Sequence, residues 1–352
     1  MRVKVLAVLS MSMAVGLPPA LQAQGLVGQG PTLESTPPVI APDQATPPDP
    51  YGTLTFSLEN DLFGGGTDRY YTNGFQLAWR SPSADLPRPL AWFNDQLDWV
   101  LGPGTLRWGL TFGQSMFTPE DTELVNPDPR DRPYAGYLYG SVSLYRTTEL
   151  TFRSLELQLG VVGPSALGEW VQNGIHDLWN IERAHGWDYQ LKDEPAFNAI
   201  YNQKWRLPLG TFMGVEAEAL PSFTLAAGNV QTYAGVGGML RIGQGLSADF
   251  GPPRIRPALS GSSWIEPSDE FGWYVFAGVD GRAVAHDIFL DGNTWRDSRS
   301  VDKRPLVGDF QAGVAVVWRG VRFSLTQVWR SEEFYGQNGE QKFGSLSVSF
   351  RF

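Results

Sequence analysis

The sequence predicts an all-β protein: a transmembrane antiparallel β-barrel of about 12 strands with a short helix in an extracellular loop. Three observations carry that prediction. Stretches of strict apolar/polar alternation recur along the chain, the period-two signature of a sheet with one apolar and one polar face. The aromatic load is high, with 13 Trp, 12 Tyr and 20 Phe among 352 residues, yet no apolar run is long enough for a spanning helix. The chain ends on GSLSVSFRF, in which Leu346, Val348, Phe350 and Phe352 share one face and Ser345, Ser347, Ser349 and Arg351 the other. A soluble sandwich or lipocalin-like barrel alternates in the same way with its apolar face turned inward, so alternation alone does not separate the two. The export signal described next, the Trp/Tyr load and the terminal Phe favour the membrane, where a closed barrel leaves no strand edge unpaired in lipid.

In chain order, residues 1–23 read as a signal peptide. Arg2 and Lys4 start it, an apolar stretch from Val5 to Leu17 follows, and Ala23 is a small residue at which a peptidase can cut. Without Arg2 and Lys4, 25 basic residues face 37 acidic ones, a balance of −12 that argues against a nucleic-acid partner. The absence of cysteine excludes a disulfide framework, a thiolate zinc site and a Cys nucleophile. Residues 24–50 hold seven prolines and few large apolar side chains, which predicts a flexible tail because little burial is available to offset ordering entropy. Residues 51–352 form the barrel domain.

Its first strand alternates Leu54, Phe56 and Leu58 with Thr53, Thr55, Ser57 and Glu59. Its second alternates Phe75, Leu77 and Trp79 with Gly74, Gln76, Ala78 and Arg80. Further strands are predicted near 105–114, 134–148, 151–162, 195–207, 212–225, 229–243, 271–287, 306–319, 321–330 and 343–352. From a periplasmic amino terminus, the outward connections are then 60–72, 115–133, 163–194, 226–228, 288–305 and 331–342. The third holds the one convincing helix, with Leu167, Trp170, Val171, Ile175 and Leu178 at helical spacing. Two periplasmic connections, 81–104 and 244–270, are long for such turns, and a strand hidden in either would reverse every later assignment.

Polar clusters gather on the outward side. Asn60 and Asp61 end the first strand; Thr67, Asp68, Arg69, Tyr70, Tyr71 and Thr72 precede the second; the loop helix carries His176, with Glu182 six residues later. Alternation puts Thr72 with Gly74 and Gln76, and Asp61 with Glu59, on the inward face. Each has a plainer role available: Asn and Asp form turns, Asp68 and Arg69 can be a surface ion pair, and a lone helix His can be structural. No nucleophile elbow, zinc helix, phosphate loop or EF-hand loop is present. What remains is a His able to deprotonate water and oxygen ligands suited to a hard cation, a set compatible with direct ester hydrolysis.

The stretches ENDLFGGGTDRYYTNG, GQSMFTPEDTELVNPDPRDRPYAGYLYGS, VVGPSALGEWVQNGIHDLW and GWDYQLKDEPAFN resemble the lipid A 3′-O-deacylase family of Gram-negative outer membranes. The resemblance runs from about Gly52 to Phe352. It implies a twelve-stranded barrel and calcium-dependent hydrolysis of the 3′-linked acyloxyacyl ester of lipid A, at a site facing the cell exterior. Carried over by position, His176 is the base that activates water, Asn60 and Asp61 hold the calcium ion and its shell, and Thr72 donates or accepts in the site. Glu182 orients His176 or joins the ion. Arg69, Arg130, Arg132 and Lys192 are expected to meet lipid A phosphates, with ordinary loop solvation as their alternative role. The expected partner is lipopolysaccharide of the outer leaflet, bound by a membrane-embedded monomer. Another acyl-ester hydrolase, such as a phospholipase, and a non-catalytic pore or structural barrel are the rival readings.

Overall fold

The computed structural model describes residues 43–63, 69–83, 85–180, 182–266 and 271–352. The expected signal peptide, the tail up to residue 42, Thr67 and Asp68 lie outside these residues. The first half of the sheet comprises β1 (Thr53–Asn60), β2 (Tyr70–Arg80), β3 (Thr105–Thr118), β4 (Ala135–Thr147), β5 (Thr151–Val162), β6 (Glu194–Trp205) and β7 (Leu207–Phe212). The second comprises β8 (Val215–Gly228), β9 (Gln231–Gln244), β10 (Gly272–Asp287), β11 (Leu306–Trp318), β12 (Val321–Arg330) and β13 (Gln341–Arg351).

Every neighbouring pair is antiparallel, β1 pairs with β13, and β6 pairs with β8, so the sheet closes on itself. Both β6 and β7 pair with β8 and form one stave broken at Arg206, whose N–H turns away to the carbonyl of Leu150 at 2.7 Å. The barrel therefore has 12 staves, as the alternation predicts. Gly52 and Phe352 exchange two main-chain hydrogen bonds of 3.0 Å and tie the start of β1 to the end of β13. At that end the connections after β4, β7 and β11 are turns of two or three residues, whereas β1–β2, β3–β4, β5–β6, β10–β11 and β12–β13 are joined by longer loops at the other, which by the general pattern of such barrels faces the exterior.

Among the described residues, neither of the two long connections contains a further barrel strand. Residues 81–104 form α1 (Arg88–Gln96) and α2 (Asp98–Leu101) on the outer wall, held by Arg146 to Asn94 at 2.9 Å and Asp98 at 3.1 Å. Their exposed Trp92, Phe93 and Trp99 are the residue types that settle at a membrane–water boundary. The segment between β9 and β10 instead enters the lumen. Arg254 on it donates to Glu59 of β1 at 2.9 Å and to Gln311 of β11 at 2.8 Å. Thr55 donates to the carbonyl of Ser263 at 2.7 Å, and Arg322 to that of Ser262 at 2.8 Å. Trp264 packs between Tyr145 and Phe152. Small cavities of about 20 and 30 Å³ remain beside this plug.

Residues 43–50, read from composition as tail, run along the terminus end of the barrel. Asp49 is buried there between Arg107 at 3.1 Å and Arg351 at 2.9 Å, so charge pairing holds a segment that has little apolar surface to bury.

Candidate active site

Asn60, Thr72 and the helix that carries His176 lie at the loop end, on the outer side of the wall. A β-bulge decides this: Tyr71 pairs with Phe117 and Asn73 with Met116, so Thr72 is the extra residue. Tyr71 points into the core against Phe117 and Phe343, and Asn73 and Phe75 point outward. The inward parity expected for Thr72 is thus corrected, because one unpaired residue shifts the alternation. Thr72 instead meets Thr118, hydroxyl to hydroxyl at 2.7 Å, and both are buried.

Asn60 has the outward parity of Phe56 and Leu58, and its Oδ1 accepts from the N–H of Leu62 at 2.8 Å, starting the 3-10 turn Asp61–Phe63. Asp61 is fully buried, and its Oδ2 accepts from the N–H of Arg69 at 2.7 Å, closing the hairpin. Phe63 then lies over Gly344 of β13: a Cβ at Gly344 would stand 2.7 Å from that of Phe63, so only glycine admits the turn there.

The loop helix, α3 (Gly168–Trp179), packs on the outside of β4. Gly136 and Gly168 allow the close approach, with Gly168 Cα 3.4 Å from where a Cβ of Gly136 would be. Outward-pointing Gln114 donates to the carbonyl of Ala166 at 2.5 Å. The buried face of α3 carries Gly168, Gln172 and His176 at i, i+4 and i+8. Its large apolar residues Leu167, Trp170 and Leu178 are exposed, the last two by 75% and 79%. That inverts the rule for soluble helices, and a helix lying in lipid accounts for it: hydrocarbon solvates the apolar side while the wall satisfies the polar one.

Nδ1 of His176 lies 2.5 Å from the main-chain oxygen of Glu182. A carbonyl can only accept, so Nδ1 carries the hydrogen and the neutral ring has its lone pair on Nε2, the atom that can take a proton from water. Glu182 orients the histidine by its backbone; its carboxylate is two-thirds exposed and 3.9 Å from His185 Nε2. Gln172 accepts from the indole N–H of buried Trp187 at 2.8 Å, and Asn173 exchanges hydrogen bonds with Ala184, which holds the turn after the helix.

The loop between β3 and β4 ties both halves of the site together. Arg69 pairs with Glu120 on one side, and the N–H of His185 donates to the carbonyl of Thr122, two residues on, at 3.0 Å. Of the cationic residues expected to meet phosphate, Arg132 is 1% exposed and directed to Glu333 at 3.2 Å. Arg130 is exposed and held bidentately by Asp128, whose carboxyl it lowers to a pKa of about 2. Lys192 donates to the carbonyl of Asp297 at 3.3 Å. Only Arg69 among them is adjacent to Asp61.

The oxygens of Asp61 and Asn60 fit a hard cation chemically, and the carboxylate of Glu182 is exposed on the turn after α3. Among the described residues no three His, Cys, Asp or Glu side chains gather as a metal cage. Sequence reasoning missed Thr118, Asn73 and Gln172. The bulge that sets Thr72 against Thr118 has no signature in the alternation, whereas Asn73 has the regular outward parity of Phe75, and Gln172 lies four residues before His176 on a face that looks merely polar.

The model of the family described as outer membrane protein LpxR matches residues 12–352. The chain belongs to this family. Membership places the LpxR-family barrel in the bacterial outer membrane. Among solved structures, LpxR from Salmonella typhimurium superposes with a TM-score of 0.71 at 22% identity, covering 85% of this chain and 100% of that one, and shows the shared fold. The β domain of the Bordetella autotransporter BrkA covers 86% and 98% at 11% identity, with a TM-score of 0.41. A search of curated proteins found no match.

Proposed function

We propose that this LpxR-family barrel is an outer-membrane lipid A deacylase that hydrolyses the 3′-linked acyloxyacyl ester from the outer surface of its wall. The observation that carries the reading is the hydrogen bond from His176 Nδ1 to the Glu182 carbonyl, on a helix whose apolar side is exposed where a lipid substrate arrives. Nε2 of His176 takes a proton from water as the water oxygen bonds to the ester carbonyl carbon. When the tetrahedral adduct collapses, the C–O bond to the sugar breaks, and the imidazolium returns the proton to the departing alkoxide. Fatty acid and alcohol are the products. Thr72, aligned by Thr118, offers a hydroxyl at the site, and the main-chain N–H of Arg69 holds the Asp61 carboxylate.

Asp61 and Asn60 would hold calcium. When bound, such a cation polarises the ester carbonyl and stabilises the negative charge that develops on it.

The test is incubation of the folded protein with lipid A, with calcium or with chelator, followed by mass spectrometry. Loss of one acyloxyacyl group with calcium alone is expected; unchanged lipid A would remove the reading. Fatty acid released from phospholipid instead would favour the general acyl hydrolase. Calcium binding itself is read by titration calorimetry on the wild type and Asp61→Asn, which is expected to lose it.

A further inference from the structure

The register of the sheet runs one row of paired, outward-facing positions across seven strands. In order these are Ala312, Gln327, Gly344, Asn60, Asn73 and Met116, ending at Gly136 beneath α3. The middle of the row is the candidate site. At its other end, over β11, β12 and β13, the wall is notched by a cavity of about 450 Å³. The small residues Ala312 and Gly344 form its floor, Val314, Leu325 and Leu346 its sides, and Phe63 its wall toward the site. Gln327 also lines it, but its amide is turned onto the main chain, donating to the carbonyls of Phe343 at 3.0 Å and Val328 at 3.3 Å. The notch is therefore apolar, faces lipid, and ends at the turn that carries Asp61.

Resting on the deacylase reading above, we infer that this notch is an acyl-chain subsite, which seats a hydrocarbon chain of the lipid whose ester is cleaved beside Asn60 and Asp61. Bulk lipid chains also touch the wall, but two features commit the notch to the substrate. Phe63 belongs to the same three-residue turn as Asp61, so a chain against it has its head group at the site. The distance also fits: Ala312 and Asn60 are three strand spacings apart, about 14 Å, which is within the reach of a single acyl chain. Recognition is by shape and apolar contact, so the subsite takes a fatty acyl group and sets the preferred chain length.

Two measurements on the full chain test this. Ala312→Phe fills the floor without touching the site. It is expected to raise KM about tenfold or more for an ester with a long acyl chain, while kcat for a short-chain ester changes less than about twofold. An unchanged long-to-short ratio in an active variant would overturn the subsite and leave the deacylase reading standing. If no ester is cleaved by the wild type, that reading fails, and the subsite is judged by binding alone. The chain has no cysteine, so Ala312→Cys and the distant lipid-facing Val236→Cys each take a single nitroxide. In phospholipid vesicles, added lipid A is expected to slow the label at 312 and not at 236. Equal responses at the two positions, or none, would show only bulk lipid contact and sink the subsite.

Discussion

The main-chain oxygen of Glu182 holds Nδ1 of His176 at 2.5 Å and thereby selects the tautomer with its lone pair on Nε2. His176→Ala is expected to lower turnover of lipid A by about 10²- to 10⁴-fold while the barrel remains folded. Glu182→Ala keeps the carbonyl and is expected to retain activity within a fewfold. Mass spectrometry of lipid A together with heat-modifiable gel mobility checks both. A Glu182→Ala loss as deep as that of His176→Ala would mean that the carboxylate, not the backbone, does the work.

The Thr72–Thr118 hydroxyl pair should behave as a unit. Each Val substitution alone removes a partner from a buried hydroxyl and is expected to cost on the order of 1 kcal/mol. The double substitution is expected to cost less than the sum. Urea unfolding of the refolded barrel measures the cycle, and strict additivity would show that the two hydroxyls do not interact.

The exposed side of α3 is expected to contact lipid. Nitroxides placed singly at Trp170 and Leu178 should collide with dissolved oxygen more than with an aqueous nickel chelate, and one at Asp177 should do the opposite. Aqueous collisions dominating at all three positions would place the helix in water.

The plug is expected to keep the lumen closed. The folded protein should show no steady conductance in planar bilayers, whereas deletion of 249–264 should open a conducting path. Arg254→Ala leaves Glu59 buried without its guanidinium and should destabilise the barrel by about 3–5 kcal/mol. A conducting wild type would restore the pore reading.

The loop between β10 and β11 supplies an acid-sensitive contact. At the end of the helical turn Ile288–Asp291, burial raises the Asp291 pKa, but hydrogen bonds from His286 and Lys303 outweigh it and hold the group at about 2. Because the folded value lies below the unfolded one of about 4, the contact stabilises the loop above pH ~4 and is lost as pH falls toward 2. Hydrogen exchange at residues 288–305 should therefore accelerate across that window, and Asp291→Asn should remove the dependence. An unaltered profile in the variant would reject the assignment.

Much of this was legible in the chain. The alternation around Leu54, Phe75 and Leu346 determined the strands, their number and the connections that became long loops, because a sheet between lipid and a polar interior enforces period two. The order of motifs likewise brought Asn60, Asp61, Thr72, His176 and Glu182 to one end of the barrel. Direction was another matter. Alternation reports two faces and not which one a bulge exchanges, so only pairing across strands turned Thr72 to the outside. Helical spacing found α3 but not its orientation, since the apolar stripe that would be buried in water is exposed in lipid. The inward course of the segment after β9 depends on Glu59, Gln311 and Thr55 from remote strands. Such contacts exist only once the cylinder has closed, and no local pattern of residues records them.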